Sequence, residues 1–461
     1  MSQLAVFTPE QAAAVIEAHT PGATVVDIHR QSRWRPTWFA TIERDGVEDR
    51  IVLRGDRPDS HAFPLRHEYT FHRIADEHGM LVPHVGDYVE TPGFIDAFLT
   101  SFVPGVPHFE DVDEVVRDAV VDEYVQAMVR FHEDDPADYV AAGVKVTDSS
   151  ADGIRRDQQA REARWRAAKD YPDPFAEFCL GWWRRHLPDA HGRAVPCIHD
   201  TGQFHHERGH LAGVLDLEFG QIGDPMMDLT VWRMRDTLLH FGDMAKLYAR
   251  YEALTGRSVD LESIKRYHFA GCLANQLQFG AAVVHPTLAT DLMTFMQWDS
   301  ETNLMATDFL GEYLGVDLPD VEVPAPHESR EDASFEFLIG HLGSVRIAEE
   351  EASHAMRLAF RTARMLYRRH QLGTVLDEAD IDDVHALLGG RRPPDWHEAT
   401  HDLERFVQAD ADTGRYDEQL TVLFHRRNSR VHMALGPQGS SMTRHYECQR
   451  FDGAPTRVVQ F

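Results

Sequence analysis

The sequence predicts an α+β chain: a small antiparallel sheet with one helix against it, then a mainly helical body, then a further, mostly helical region. Three observations carry this. Extended runs separated by turn residues cluster before residue 105. Apolar spacing becomes helical from about residue 106. A proline- and acid-rich stretch, GVDLPDVEVPAPHESRED at 315–332, is the best linker in the chain. The expected segments are therefore 1–105, 106–320 and 330–461.

Taken in order, Thr8, Pro9 and Gln11 form a helix start, because threonine caps, proline suits the first helical position and Gln reaches back to the cap. TWFATI and RIVLR are strand-like runs around the turn signal ERDGVED. LRHEYTFHRIADEHGM has helical spacing, and HVGDYVETPGFIDAFLTSFVPG supplies two more strands before a Pro-Gly break. From DEVVRDAVVDEYVQAMVRFHEDD onward helices dominate, interrupted near 195–225 by a loop flanked by short strands. CLANQLQFG at 272–280 is a packed helix. EEEASHAMRLAFRTARMLYRRH is a strong helix whose basic end suits its dipole. EQLTVLFHRRNSRVHMALG alternates around a polar turn and is expected to be a hairpin.

The chain has 461 residues, with 75 acidic against 46 basic side chains and a net charge of −29, which disfavours nucleic acid and anionic membranes as partners. Most of these acids are expected simply to keep the surface soluble. No apolar stretch approaches a membrane span. The first residues lack the pattern of a secretory signal, and Cys179, Cys197, Cys272 and Cys448 show no paired spacing, so a cytoplasmic protein without a disulfide framework or zinc site is expected. His205, His206 and His210 fall on a predicted hairpin turn and are expected to be solvated, not metal ligands.

The chemistry concentrates in HLAGVLDLEFGQIGDPMMDL, 210–229, where a short apolar run ends in Asp216 and then breaks at glycines and a proline. Upstream, PCIHDTGQF places Asp200 in a second loop. Two acids on loops flanking a hairpin are able to hold a metal and a reacting hydroxyl together. Asp224 in the Gly-Asp-Pro turn reads as a helix cap. Glu218 is either a second metal contact or a solvated acid.

The order of these elements, Arg54 in IVLR, Glu68 in RHEYTF, the FLTSFVPG hinge, the Asp200 loop and GVLDLEFGQIGDPMMDL, resembles the aminoglycoside phosphotransferase and choline kinase-like family, over about residues 20 to 320. The resemblance implies a protein-kinase-like, two-lobed fold: a sheet lobe that binds nucleotide and a helical lobe with the catalytic and metal loops. It implies an ATP-dependent phosphotransferase acting on the hydroxyl of a small molecule, with Mg²⁺. Asp200 would accept the hydroxyl proton; Asp216, Gln203 and Glu218 would hold the metal; Arg54, steadied by Glu68, would face the phosphates. The VLR strand and LEFGQIGDPMMDL resemble the phosphotransferases associated with acyl-CoA dehydrogenases, which implies hydroxyacyl groups or other hydroxylated metabolites as acceptors, beside antibiotics.

The sequence departs from the family pattern in four places. Arg54 stands where a lysine is usual, keeping the charge on a planar fork that is not equivalent. Ile198 replaces the histidine usual two residues before the catalytic acid. Gln203 stands where an asparagine is usual, after a shorter segment. The nucleotide loop HRQSRWRPTWF has no glycine, so Arg30, Arg33 and Arg35 are open to two readings, phosphate contacts or surface charges. These departures motivate a rival reading, a catalytically silent kinase-fold binding or regulatory protein. The region 330–461 has no assigned role and is large enough to carry a homodimer contact.

Overall fold

A computed structural model describes residues 4–31, 35–56, 63–187, 193–288, 290–436, 444–451 and 456–460. In chain order its elements are α1 (Pro9–His19), β1 (Thr24–Arg30), β2 (Thr37–Arg44), β3 (Val47–Gly55), α2 (Leu65–Glu77), β4 (Val85–Val89), β5 (Ala97–Ser101), α3 (Glu114–Glu133), α4 (Ala137–Ala141), α5 (Ala151–Ala168) and α6 (Pro174–Arg185). There follow β6 (Val195–Cys197), β7 (Phe204–Glu207), β8 (His210–Val214), β9 (Gln221–Gly223), α7 (Pro225–Leu239), α8 (Met244–Thr255), α9 (Leu261–Val284) and α10 (Leu292–Leu314). Last come α11 (Asp332–Ser344), α12 (Glu350–Leu388), α13 (Trp396–Asp410), α14 (Asp417–Leu435), β10 (Arg444–Tyr446) and β11 (Val458–Gln460). The chain divides into two compact units, 1–149 with 191–260, and 150–190 with 261–461. The observed architecture is the expected α+β one, an N-terminal antiparallel sheet followed by a mostly helical remainder.

In the first unit the sheet is antiparallel in the order β1-β2-β3-β5-β4. The β2–β3 hairpin turns at Asp45 and Gly46, both at positive φ, as a tight two-residue turn demands. Trp38, Ala40 and Ile42 alternate inward along β2 and, with Leu53, Ala97 and Leu99, meet Phe7, Ala12 and Ile16 from the α1 side. Helix α1 starts as expected, Thr8 and Gln11 forming the reciprocal cap. On the other face Tyr69 and His72 of α2 pack their rings on Phe98. The sheet thus carries a helix on each face, and β3 lies between β2 and β5, so the direction of Arg54 is set by pairing on both sides. Two short ladders, β6 with β9 and β7 with β8, frame the loops that matter for chemistry.

The second unit is helical. Its core begins at α6, where Trp182 packs on Phe269 of α9 and Phe309 of α10, and Phe175 and Phe178 meet Phe424 of α14. Here the structure overturns one expectation: EQLTVLFHRRNSRVHMALG is α14, not a hairpin. Leu420, Leu423, Phe424, Arg427, Asn428 and His432 are among its buried residues and recur at helical spacing, and several of the buried residues are polar, so an apolar pattern alone hides the helix.

The stretch after α10 has no regular structure, but it is not a free linker. Val321 packs against Leu372, Leu376, Met433 and Ala434, Asp320 pairs with Arg457, and the His327 amide donates to the Gln371 carbonyl at 3.0 Å. Consequently the compact units do not follow the 106–320 and 330–461 segments. Helices α9 and α10 belong with the C-terminal helices because α10 packs along α14 through Ser300–His432 and Thr307–His425 hydrogen bonds.

His445 on β10 shows how the C-terminal segment is tied down. It is buried between Glu301, at 3.1 Å, and Asp308, at 2.5 Å, both on α10. Burial alone would lower the imidazole's pKa, but the two carboxylates, Asp308 foremost, outweigh it and push the pKa up to about 10. A histidine raised in the folded state adds stability that is complete below its unfolded value, about 6.5, and is lost as pH rises through the folded value. Chemical denaturation between pH 6.5 and 10 is therefore expected to show falling stability with rising pH, and His445→Gln is expected to flatten that slope while lowering stability at neutral pH.

Candidate active site

Three elements of the first unit converge through charge. Arg54, near the end of β3, places Nε 2.6 Å from Glu68 Oε1 and Nη2 2.5 Å from Asp216 Oδ1. Glu68 on α2 is 3% exposed and accepts a second cation at its other oxygen, Arg35 Nη1 at 2.8 Å. Arg35 continues to Glu218 through Nη2. Two arginines thus join three acids, with Glu68 shared. Burial works against the ionised forms, but Arg54 and Arg35 hold the Asp216 carboxyl below its usual range, and the acids hold Arg54 firmly protonated. Glu218 goes the other way: burial and the adjacent Asp216 charge push it up to about 7 despite Arg35.

Arg35 is the residue that sequence reasoning undervalued. It is 7% exposed, not a surface charge, and its position just before β2, beside the strand-end Arg54, is visible only once β2 and β3 are paired, Thr37 opposite Arg54. Arg33 lies outside the described residues. The chain reaches Asp216 differently from expectation as well. Strand β8 ends at Val214, and Asp216 sits beyond it at φ 59°, a left-handed conformation that aims its carboxylate back at Arg54. The following turn presses Gly220 so closely on the Phe71 ring of α2 that no Cβ fits there, and His67 of the same helix bonds the Gly220 carbonyl at 2.7 Å. The helix that carries Glu68 therefore also positions the Asp216 loop.

The Asp200 loop is built on Asp228. This fully buried carboxylate, on α7, accepts the backbone amides of Ile198 at 2.8 Å and His199 at 2.7 Å. It also pairs with His132 Nε2 of α3 at 3.0 Å, whose Nδ1 meets the Tyr251 hydroxyl at 2.8 Å. Thr201 donates to the Asp228 carbonyl, and the Gly202 amide donates to the Tyr124 hydroxyl at 2.6 Å. With an isoleucine at 198, the imidazole beside this carboxylate comes from α3. Asp224, in contrast, is the helix cap anticipated, accepting the Met226 amide at 2.9 Å.

So held, Asp200 offers Oδ1 to Arg235 Nη2 at 2.5 Å and Oδ2 to Gln203 Nε2 at 2.5 Å. The same Gln203 nitrogen lies 2.9 Å from Asp216 Oδ2. Burial raises the Asp200 pKa from its ordinary value, Arg235 opposing. One amide nitrogen thus sits where two acids from two loops converge, and a divalent cation suits that position: the donors are oxygens, the acids carry the charge, and rotation of the Gln203 amide would present its oxygen instead. Asp216 and Gln203 fit Mg²⁺ on these grounds, with Asp200 facing the same amide; Glu218, paired with Arg35, is not gathered with the two aspartates into one ligand cluster.

The histidine-rich hairpin holds no comparable cluster among the described residues. His206 is buried, contrary to expectation, because it bonds the His108 carbonyl and stacks on Phe109. His205 bonds the Val103 carbonyl, and exposed His210 pairs with Glu123. His132, Cys197 and Asp228 come within 4.8 Å of one another, but Asp228 is already committed to two amides and the imidazole. The four cysteines are free and buried.

The chain matches the family model of the phosphotransferase enzyme family over residues 30–264, half of its length, and belongs to that family. Mouse acyl-CoA dehydrogenase family member 10 is 26% identical over 216 residues, covering 44% of this chain and 19% of that protein, so the chain spans about a fifth of that relative. Among solved structures, spectinomycin phosphotransferase APH(9)-Ia with ADP and spectinomycin aligns at TM-score 0.46 and 9% identity, covering 64% of this chain and 94% of that one. Macrolide 2'-phosphotransferase MphH from Brachybacterium faecium aligns at TM-score 0.42 and 17% identity, covering 59% and 92%.

Asn at 228 keeps one oxygen but turns an amide NH₂ toward a backbone amide, and a buried donor left unsatisfied costs about 1–3 kcal/mol. Asp228→Asn is expected to lower the denaturation free energy by about that amount, more than Asp224→Asn, which keeps a capping oxygen. Urea unfolding followed by circular dichroism measures both.

Proposed function

We propose that this chain is an ATP-dependent small-molecule kinase, a phosphotransferase with an alcohol group as acceptor. The observation that carries the reading is the convergence of Asp200 and Asp216 on one Gln203 amide nitrogen. Transfer of a phosphoryl group to an alcohol needs a carboxylate to orient the hydroxyl and take its proton, and cations to offset phosphate charge. Asp200 serves the first need. Asp216 and Gln203, with Glu218 beside them, serve the second by holding Mg²⁺, which when bound offsets the charge of the nucleotide oxygens. Arg54, held by Glu68, faces the phosphates, and Arg33 brings further charge to them, while Arg35 secures Glu68 and Glu218.

The acceptor we propose is a hydroxylated metabolite or a hydroxyacyl group, a reading supported by the match to a segment of the mouse acyl-CoA dehydrogenase relative. Four buried free cysteines accord with a reducing, cytoplasmic setting. One observation favours the rival silent reading: Arg54 already closes on Asp216 and Glu68, so nucleotide binding has to compete with an internal ion pair.

Two variants test the roles. Asp216→Asn is expected to weaken Mg²⁺-dependent ATP binding and turnover together. Asp200→Asn is expected to leave ATP affinity nearly unchanged and lower kcat by roughly 10²–10⁴-fold, the range for loss of a general base. Calorimetric titration of Mg²⁺-ATP separates them before an acceptor is known. Absence of any binding by the unmodified protein at millimolar Mg²⁺-ATP would favour the silent reading.

A further inference from the structure

Asp200 uses its two oxygens in different directions. Oδ2 faces Gln203 and, through it, Asp216; Oδ1 faces Arg235 on α7. If the phosphoryl donor belongs with Asp216, as proposed above, a hydroxyl that gives its proton to Asp200 arrives on the Oδ1 side. It arrives beside Arg235.

Arg235 is held differently from two other part-buried arginines. Arg185 grips both oxygens of Asp417, at 2.7 and 2.6 Å, and also reaches the Ala411 carbonyl. Arg54 bridges two acids. Arg235 instead brings Nη2 and Nε, at 2.5 and 3.2 Å, to a single oxygen, with no second acceptor among the described residues, and its side chain is 29% exposed. Its stem is fixed: Cδ lies 3.0 Å from the Cβ position of Gly202, which is at φ 88°, so the loop and the stem fit only because that residue is glycine. A rigidly seated, half-used guanidinium fork matches a carboxylate or phosphate in geometry. The same fork repels an ammonium group.

We propose that Arg235 determines acceptor specificity and that the acceptor is a hydroxylated anion, carrying a carboxylate or phosphate near its hydroxyl, and not a cationic amino sugar. This rests on the kinase reading. The acceptor's anionic group engages Arg235 and draws the guanidinium from Asp200, which frees Oδ1 for the hydroxyl. The hydroxyl proton passes to Asp200, the hydroxyl oxygen bonds the γ-phosphorus of ATP, the bond from that phosphorus to the bridging oxygen breaks, and ADP leaves with the electron pair. Until an anion arrives, Arg235 keeps the base engaged.

The test uses the full chain and its Arg235→Gln and Arg235→Lys variants, with saturation-transfer NMR in Mg²⁺-ATP as a readout independent of turnover. The probes are lactate, 3-hydroxybutyrate and glucose 6-phosphate, against 1,2-propanediol, 1,3-butanediol, glucose and kanamycin. The carboxylate and phosphate arms tell the two anion sources apart. Unmodified protein is expected to bind an anionic probe and not its uncharged counterpart. Arg235→Gln should weaken that binding by ~10–100-fold, the range for losing a charged hydrogen bond, with partial rescue by Arg235→Lys. Failure of every anionic probe to bind, equal binding of an uncharged probe or kanamycin, or anion binding unchanged in Arg235→Gln overturns the proposal. Mass spectrometry of the same mixtures separates the two readings: Arg235-dependent anion binding without phosphorylation sinks the kinase reading alone, and phosphorylation of an uncharged alcohol untouched by Arg235→Gln sinks the specificity proposal alone.

Discussion

The Glu68 carboxylate is the constraint on which the candidate site depends. It is buried on α2 and shared by Arg54 from β3 and Arg35 from the segment before β2. A buried charge left without a partner is strongly destabilising, so each arginine is bound to its place as firmly as the acid is. Through these two cations Glu68 reaches Asp216 and Glu218, residues far away in the chain. The sheet, the helix and the loop after β8 are therefore one electrostatic unit, and the contact of Gly220 with Phe71 closes it sterically.

A second buried carboxylate does the same for the other loop. Asp228 holds the amides of Ile198 and His199 and is itself held by His132, so the backbone that displays Asp200 has little freedom. The two assemblies meet at Gln203, whose amide touches an acid from each. This meeting is what gives the arrangement chemical meaning: two carboxylates with opposed tendencies, Asp216 kept ionised by arginines and Asp200 raised by burial, stand on either side of one polar hydrogen-bonded group. Such separation of environments suits a metal ligand on one side and a proton acceptor on the other.

Much of this was legible. The turn at Asp45-Gly46, the Thr8 cap, the Asp224 cap and the strands of the sheet follow from local rules, since turn and capping residues act on backbone within a few positions. Asp200, Asp216, Glu68, Arg54 and Gln203 could be picked out because they sit in motifs whose order resembles a known family. Arg35, His132 and Arg235 could not be, because each acts on a partner distant in sequence and none lies in a distinctive motif. Helix α14 is hidden in the sequence for a related reason. Its inward face includes Asn428 and His432, polar groups that an interior tolerates only where partners such as the Asn303 carbonyl and Ser300 await them.

The sequence by itself determined the α+β order, the capped helices and the two-loop placement of acids, because these depend on local backbone preference, hydrophobic period and residue type. Only the tertiary structure decided which charges are buried, which arginine meets which acid, and that the segment after α10 packs with the C-terminal helices. Pairing energies of that kind depend on desolvation and on distances of a few ångströms between residues far apart in the chain, and neither quantity exists until the fold has formed.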